Sequence, residues 1–191
     1  YKTTNRGASW NRLISLTSFT AYGIHAFDSS KIVIGGSLGT IWSTTNGGTQ
    51  WTIRFPVVRY TLKTVVPLSQ NTYLAAGEFG SVLSSTVGGL NWIKKPNSFT
   101  HGFDDLDFAD PLNGFGVGKD LGVVKTSDGG NTWSLLIEKE YHLFQGVSCI
   151  DAMTAFVVEG YGVIRKTTDA GITWQVRDST IYADKIDFSN T

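Results

Sequence analysis

The sequence predicts an all-β fold built from one repeated sheet, and three observations predict it. Five of the six tryptophans, Trp10, Trp51, Trp92, Trp133 and Trp174, follow one another at a constant spacing of 41 residues, and Trp42 alone falls off the period. Each of the five closes a related octet: TTNRGASW, TTNGGTQW, STVGGLNW, TSDGGNTW and TTDAGITW. No stretch carries helical apolar periodicity over the roughly ten residues a helix needs.

Within a period the elements follow in a fixed order. An apolar-rich strand comes first and ends at a turn marked by Asp28, Ser69, Asp110 or Asp151. A second β-rich run then reaches a short glycine-bounded loop, GSLG, GEFG, GKDLG or GYG, and a third strand leads into the octet. A fourth strand follows the Trp, as in WTIRF and WSLLIE. Four short strands in a repeat of about 40 to 45 residues describe the blade of a β-propeller. The expectation is therefore an all-β β-propeller of four-stranded antiparallel blades with a 41-residue repeat, with four complete repeats plus two partial ones. The complete repeats span 11–51, 52–92, 93–133 and 134–174, with partial blades at 1–14 and 175–191 in a single propeller domain. The two partial pieces together lack about 14 residues, which fall on the second strand of one blade. A fragment of a larger propeller is the preferred reading of that shortfall, and an imperfect five-bladed ring is the alternative. The sequence does not start with Met, which fits a processed, trimmed or partial product.

The octet reads as the turn between third and fourth strands. An Asx side chain can accept from the backbone two residues on, and glycine reaches positive φ at little steric cost. Asn5, Asn46, Asp128 and Asp169 hold the Asx position, and Gly7, Gly48, Gly89, Gly130 and Gly171 stand three residues before each Trp. Val87 takes the Asx place in the third copy, where the turn must rely on its two glycines and its neighbours. A catalytic acid would not be exchanged for Val and Asn in parallel copies of one chemistry, so the octet is architecture. Its indole is expected to pack against the adjoining blade with the N–H near a polar partner.

Bulk composition narrows the function. Hydrophobic residues make up 41% of 191, enough for a sizeable core, and 16 basic residues balance 16 acidic ones. A balanced charge without basic runs argues against general binding of nucleic acid or anionic membranes. There is no apolar run of membrane-spanning length and no signal peptide. The single cysteine, Cys149, excludes an internal disulfide and sits in the apolar run GVSCI, as a buried small hydrophobe does.

The octets resemble the Asp-box, S/T-x-D-x-G-x-T-W, or bacterial neuraminidase repeat, and match it in full at Thr126–Trp133 and Thr167–Trp174. The longer pattern LDFADPLNGFGVGKDLGVVKTSDGGNTW is similar to the repeat of the photosystem II stability and assembly factor family. That resemblance implies an Asp-box on the face away from the usual ligand site. The opposite face, where inter-blade loops and the second-to-third-strand loops meet, is then where function is expected. Asp-box sialidases need an arginine cluster. Arg54, in IRFP, follows an octet instead of preceding the first one, and the six arginines occupy mostly different repeat positions. Arg54 is therefore expected to be an outward residue of a fourth strand.

Two constellations remain. FDDLDF places Asp104, Asp105 and Asp107 on a first strand, beside the channel, where they would coordinate a cation, hold a catalytic acid or stand solvated with Lys63 as partner. Phe19, Tyr60, His101 and His142 share one repeat position at the entry to the innermost strand, with Arg59, Tyr141, Phe79 and Tyr161 nearby. Such a ring would stack on sugars or grip a peptide, or simply pack over each blade. No His–Cys or His–His spacing resembles a zinc site, no Ser-His-Asp set is proposed because strand order alone cannot bring one together, and no cofactor is implied. The expected function is a non-catalytic binding or scaffold module of an exported protein, secreted, cell-surface or periplasmic, with a protein or glycan partner and no membrane insertion. The alternatives are a fragment of an Asp-box glycoside hydrolase, sialidase-like or glucanase-like, and a photosystem II assembly factor-like protein, which would place it in the thylakoid lumen.

Overall fold

The computed structural model describes residues 1–13, 19–55, 58–138, 143–179 and 183–188. Their strands form four separate four-stranded antiparallel sheets. The first contains β1 (Ala21–Ala26), β2 (Ile32–Gly36), β3 (Ile41–Thr44) and β4 (Thr52–Arg54). The second contains β5 (Leu62–Pro67), β6 (Tyr73–Gly77), β7 (Val82–Ser85) and β8 (Ile93–Lys94). The third contains β9 (Asp105–Phe108), β10 (Gly114–Gly118), β11 (Gly122–Thr126) and β12 (Ser134–Ile137). The fourth contains β13 (Phe144–Cys149), β14 (Ala155–Glu159), β15 (Ile164–Thr167) and β16 (Gln175–Asp178). Registers repeat with the sequence: Ile34 faces Trp42, Ala75 faces Leu83, Gly116 faces Val124 and Val157 faces Arg165. This is the predicted all-β arrangement of four-stranded blades.

The octets form the third-to-fourth-strand turns. In the third sheet the Thr126 hydroxyl oxygen accepts the Gly130 N–H at 2.9 Å, and Asp128 Oδ1 accepts the Thr132 N–H at 2.8 Å. Thr44 with Asn46 and Thr167 with Asp169 repeat both bonds. The octet at Thr3, Asn5 and Gly7 has them too, and Lys2 pairs with Asn11 as β3 pairs with β4. Where Val87 replaces the acid, the Ser85 hydroxyl still accepts the Gly89 N–H at 3.0 Å. Four of the five boxes are stitched to the turn between first and second strands: the amides of Gly47, Gly88, Gly129 and Ala170 donate to the carbonyls of Ser30, Asn71, Leu112 and Met153. That puts the boxes on the face opposite the glycine-bounded loops.

The core lies in the seams between blades. Val33 and Ile41 of the first blade pack with Leu62, Val65, Tyr73 and Trp92 of the second. Leu74 and Val82 of the second meet Leu106, Val124 and Trp133 of the third. Phe115 and Val123 of the third meet Phe144, Val147 and Trp174 of the fourth. Trp51, Trp92 and Trp174 donate their indole N–H to Gly48, Gly89 and Gly171 carbonyls at 2.9 to 3.1 Å, as expected of joinery residues. Two copies depart from this: Trp133 Nε1 is buried without a partner among the described residues, and Trp10 is 58% exposed.

β1, β5, β9 and β13 are successive inner strands around a channel, and residues 185–187 complete its lining. The segment 183–188 lies alongside β13: Phe188 N–H donates to Ser148 Oγ at 3.1 Å, and the Phe188 ring packs on Phe156 at 4.7 Å between centroids. Along it Phe188 faces Ser148, 40 residues back, and Lys185 faces Gly146, 39 back, close to the offset between successive inner strands, so the segment stands where a fifth inner strand would.

Candidate functional site

The loop face is organised around the mouth of the channel. Each inner strand presents one residue there at the same repeat position, namely Tyr22, Lys63, Asp104 and Gln145. They line a cavity of about 260 Å³ together with Lys119 and Lys185. A second cavity of about 290 Å³ adjoins it through Lys63, Asp104 and Lys119 and extends to Glu78, Phe79 and His101. Lys63 Nζ meets Asp104 Oδ1 at 2.5 Å, and the other carboxylate oxygen accepts the Lys119 N–H at 2.9 Å. The Asp104 charge is thereby engaged, while the Lys119 side chain stands exposed beside it.

Above the mouth stand the tips of the glycine-bounded loops. Leu38, Phe79 and Tyr161 occupy one repeat position and adopt left-handed φ of 56°, 53° and 69°. Residues with a Cβ enter that region at a cost. All three are large, and they are 72%, 63% and 80% exposed. Asp120 takes the same place in the third blade, where β10 and β11 are joined without a 3-10 turn.

The aromatic and imidazole ring expected from the sequence assembles only in part. Tyr60 stacks on Phe79 with centroids 4.5 Å apart, and Phe79 and His101 line the same cavity, so these three come together. Phe19 instead turns inward, against Trp42 at 6.3 Å and against Gly36, and serves packing. Arg59 is exposed but lines neither cavity at the mouth. Tyr141 and His142 lie outside the described residues. The sequence reading missed Leu38 and Lys119, although aligning the glycine-bounded loops places Leu38 beside Phe79 and Tyr161.

The acidic run divides by depth. Asp104 takes Lys63 as its partner, whereas Asp105 is buried and Asp107 half-buried beside the channel, so neither is the freely solvated residue that the run also allowed. Asp105 is 8% exposed and accepts from the Thr64 hydroxyl and the Val147 N–H, both at 3.3 Å. Asp107 accepts the Cys149 N–H at 2.7 Å. These carboxylates bridge neighbouring inner strands, and burial pushes the pKa of both upward against the pull of those bonds. Burial first, then the Asp107 charge, raises the Cys149 thiol far above its ordinary range, so it stays protonated, as expected of a packed thiol. Among the described residues no cluster of His, Cys, Asp and Glu is arranged to hold a metal. Arg54 does lie on a fourth strand and is half-exposed, with its Nε buried and without a hydrogen-bond partner among the described residues. Among the described residues no helix is long and apolar enough to cross a membrane.

No protein-family model matches the chain, and no curated protein matches it. Solved structures do. An ancestral GH74 enzyme superposes with a TM-score of 0.76 at 17% identity, covering 95% of this chain and 28% of that one. YCF48 bound to D1 peptide superposes at 0.58 and 14% identity, covering 89% and 72%. The WD40 repeats of RRP9 superpose at 0.69 and 9% identity, covering 88% and 57%. The chain thus spans little more than a quarter of the GH74 enzyme's length. Identities this low speak for architecture and not for activity. Together with the four blades and their shared channel, these likenesses establish the chain as a β-propeller.

Proposed function

We propose that this propeller is a non-catalytic binding module that takes an extended segment of a partner protein across the channel mouth. The observation that carries the reading is the repetition of Leu38, Phe79 and Tyr161, exposed apolar side chains held at positive φ around a charged opening. Exposed apolar groups beside polar anchors are what peptide recognition uses. The likeness to YCF48, solved with a D1 peptide, supports the same mode. The acids beside the channel are engaged in strand bridges and a lysine pair, which supports a binding role over a catalytic one.

The test is a peptide library and a glycan array probed with the chain and with a Phe79→Ser, Tyr161→Ser double variant. Peptide capture that weakens tenfold or more in the variant, at unchanged stability, is expected. Capture of glycans alone would replace the peptide partner with a sugar. A second reading, part of a glycoside hydrolase, is favoured by the 95% of this chain that superposes within a GH74 enzyme. Turnover of glycosides by the protein would establish that reading and overturn the first.

A further inference from the structure

The loop face is not uniform around the ring. Ser37, Glu78, Lys119 and Gly160 share one repeat position in the glycine-bounded loops, and Leu38, Phe79, Asp120 and Tyr161 share the next. The tips of the first and fourth blades therefore carry no charge at these positions. Both charged tips, those of the second and third blades, line the cavity of about 290 Å³ beside the channel mouth. Its lining runs from Lys63 to Asp120, so the cavity is complete within two neighbouring blades.

The backbone beneath it is fixed. A Cβ on Gly102 would lie 3.0 Å from Glu78 Cα and 3.5 Å from the Phe79 nitrogen, so a glycine there lets the loop of the second blade rest on the chain entering β9. The Phe103 N–H donates to the Gly77 carbonyl at 3.0 Å, and the Asn97 side-chain amide donates to the Gly80 carbonyl at 2.7 Å, one bond on each side of the tip. Phe79 stands between them with its ring against Tyr60.

The charges in this cavity do not balance. Lys63 and Asp104 pair at 2.5 Å and cancel. Two carboxylates, Glu78 and Asp120, are then left against the single ammonium group of Lys119. Glu78 Oε2 accepts the Thr61 N–H at 3.1 Å, a neutral donor that leaves the carboxylate charge in place. Asp120 has no hydrogen bond or ion pair among the described residues. With His101 counted as neutral at pH 7, the cavity holds an excess negative charge beside an aromatic ring.

We infer that, if the mouth takes an extended polypeptide as proposed above, this cavity accepts a basic side chain, Lys or Arg, of that segment and so sets its selectivity. The cationic head is placed between Glu78 and Asp120, with the aliphatic stem along the Phe79 ring. A cation is attracted to an aromatic face, and more strongly where water is excluded. Charge-assisted bonds to carboxylates are the stronger kind. An acidic side chain meets like charge there, which suppresses wrong partners. Leu38 and Tyr161, at tips without charge, hold the segment without this discrimination.

The experiment probes an array of acetylated, amidated peptides with the protein and then titrates one captured peptide by calorimetry. Captured sequences are expected to be enriched in Lys or Arg. Changing that basic residue to Gln should weaken binding about tenfold, as loss of a desolvated charge contact does. Glu78→Gln, which keeps an acceptor for the Thr61 N–H, and Asp120→Asn should each weaken the basic peptide and leave its Gln form unchanged. Asp120→Lys should shift capture toward acidic peptides. Asp120 is exposed, so its variants keep the test decisive should Glu78→Gln disturb the loop, and unchanged melting temperatures identify the variants that fold. Capture indifferent to basic residues overturns the inference and leaves the peptide-binding reading standing. The same holds if the variants bind the basic peptide as well as the parent protein does, or lose both peptide forms equally. Absence of any peptide capture overturns both.

Discussion

Ile24 and Val65 occupy the same place in neighbouring blades, yet one is 68% exposed and the other 4%. The strands that carry them have similar length, pairing and turns. The difference lies in what stands opposite. Val65 receives Val33 and Ile41 from the blade before it, and Ile24 receives nothing equivalent from the described residues. Burial in a repeat protein is thus a property of the neighbour as much as of the residue, because each sheet hides its apolar face only against the next. The closed seams bury that face, whereas at Ile24 no described residue covers it.

The largest effect should separate the two seams directly. Phe115→Ala at a closed seam is expected to lower stability by about 3–5 kcal/mol, because Phe115 is 1% exposed and its loss leaves a cavity. Ile24→Ala at the open seam should change it by less than about 0.5 kcal/mol. Urea unfolding of both variants checks the pair, and equal losses would dissolve the distinction. A second contrast uses the box glycines. Gly130→Ala places a methyl 2.8 Å from Leu74 at φ +75°, whereas Gly7→Ala at φ +90° meets nothing closer than Trp10 at 4.0 Å. Both incur the left-handed cost of about 1–2 kcal/mol. Only Gly130→Ala should add about 1–3 kcal/mol for overpacking, so the difference in unfolding midpoints measures the closed seam alone.

Smaller effects belong to the turns, which are alike at both seams. Asp128→Ala is expected to cost about 1 kcal/mol for its lost bonds and to leave ligand capture unchanged. Conversely, Val87→Asp should gain about 0.5–1 kcal/mol by restoring an acceptor to the one box that lacks it. Thermal melts resolve both. The least effect is on pH dependence. Bonds from the Thr173 hydroxyl and amide, then from Thr167, hold the Asp169 pKa down to about 2. A depressed carboxyl pKa means that the folded chain binds fewer protons than the unfolded one between that value and about 3.9. Its stabilisation is therefore complete above that window and fades as pH falls through it. Asp169→Asn should flatten this part of the acid-unfolding curve, whereas the box at the open end, with Asn5, has no such carboxylate to titrate.

Much of the molecule is legible without coordinates. The spacing of Trp51, Trp92, Trp133 and Trp174 places every blade, and the Thr, Asx and Gly of each box specify its turn through bonds that span four residues. The candidate site is legible in part. The alignment finds Tyr60, His101 and Phe79 as neighbours, but Phe19, at the same repeat position, turns in to pack on Trp42 because a glycine, Gly36, leaves room for its ring. FDDLDF announces three acids beside the channel, and only the approach of β5 and β13 shows which pair with Lys63 and which bridge strands.

By itself the sequence determined the period, the strand order and the turn chemistry, because these rest on contacts between residues close along the chain. The tertiary structure alone decided which apolar surface is covered. It also settled the buried state of Asp105, the buried Nε of Arg54 and the open groove at Ile24. The reason is physical: desolvation depends on whatever stands across the seam, as Val33 and Ile41 stand across from Val65, and such a partner is present at three seams and has no counterpart among the described residues at the fourth.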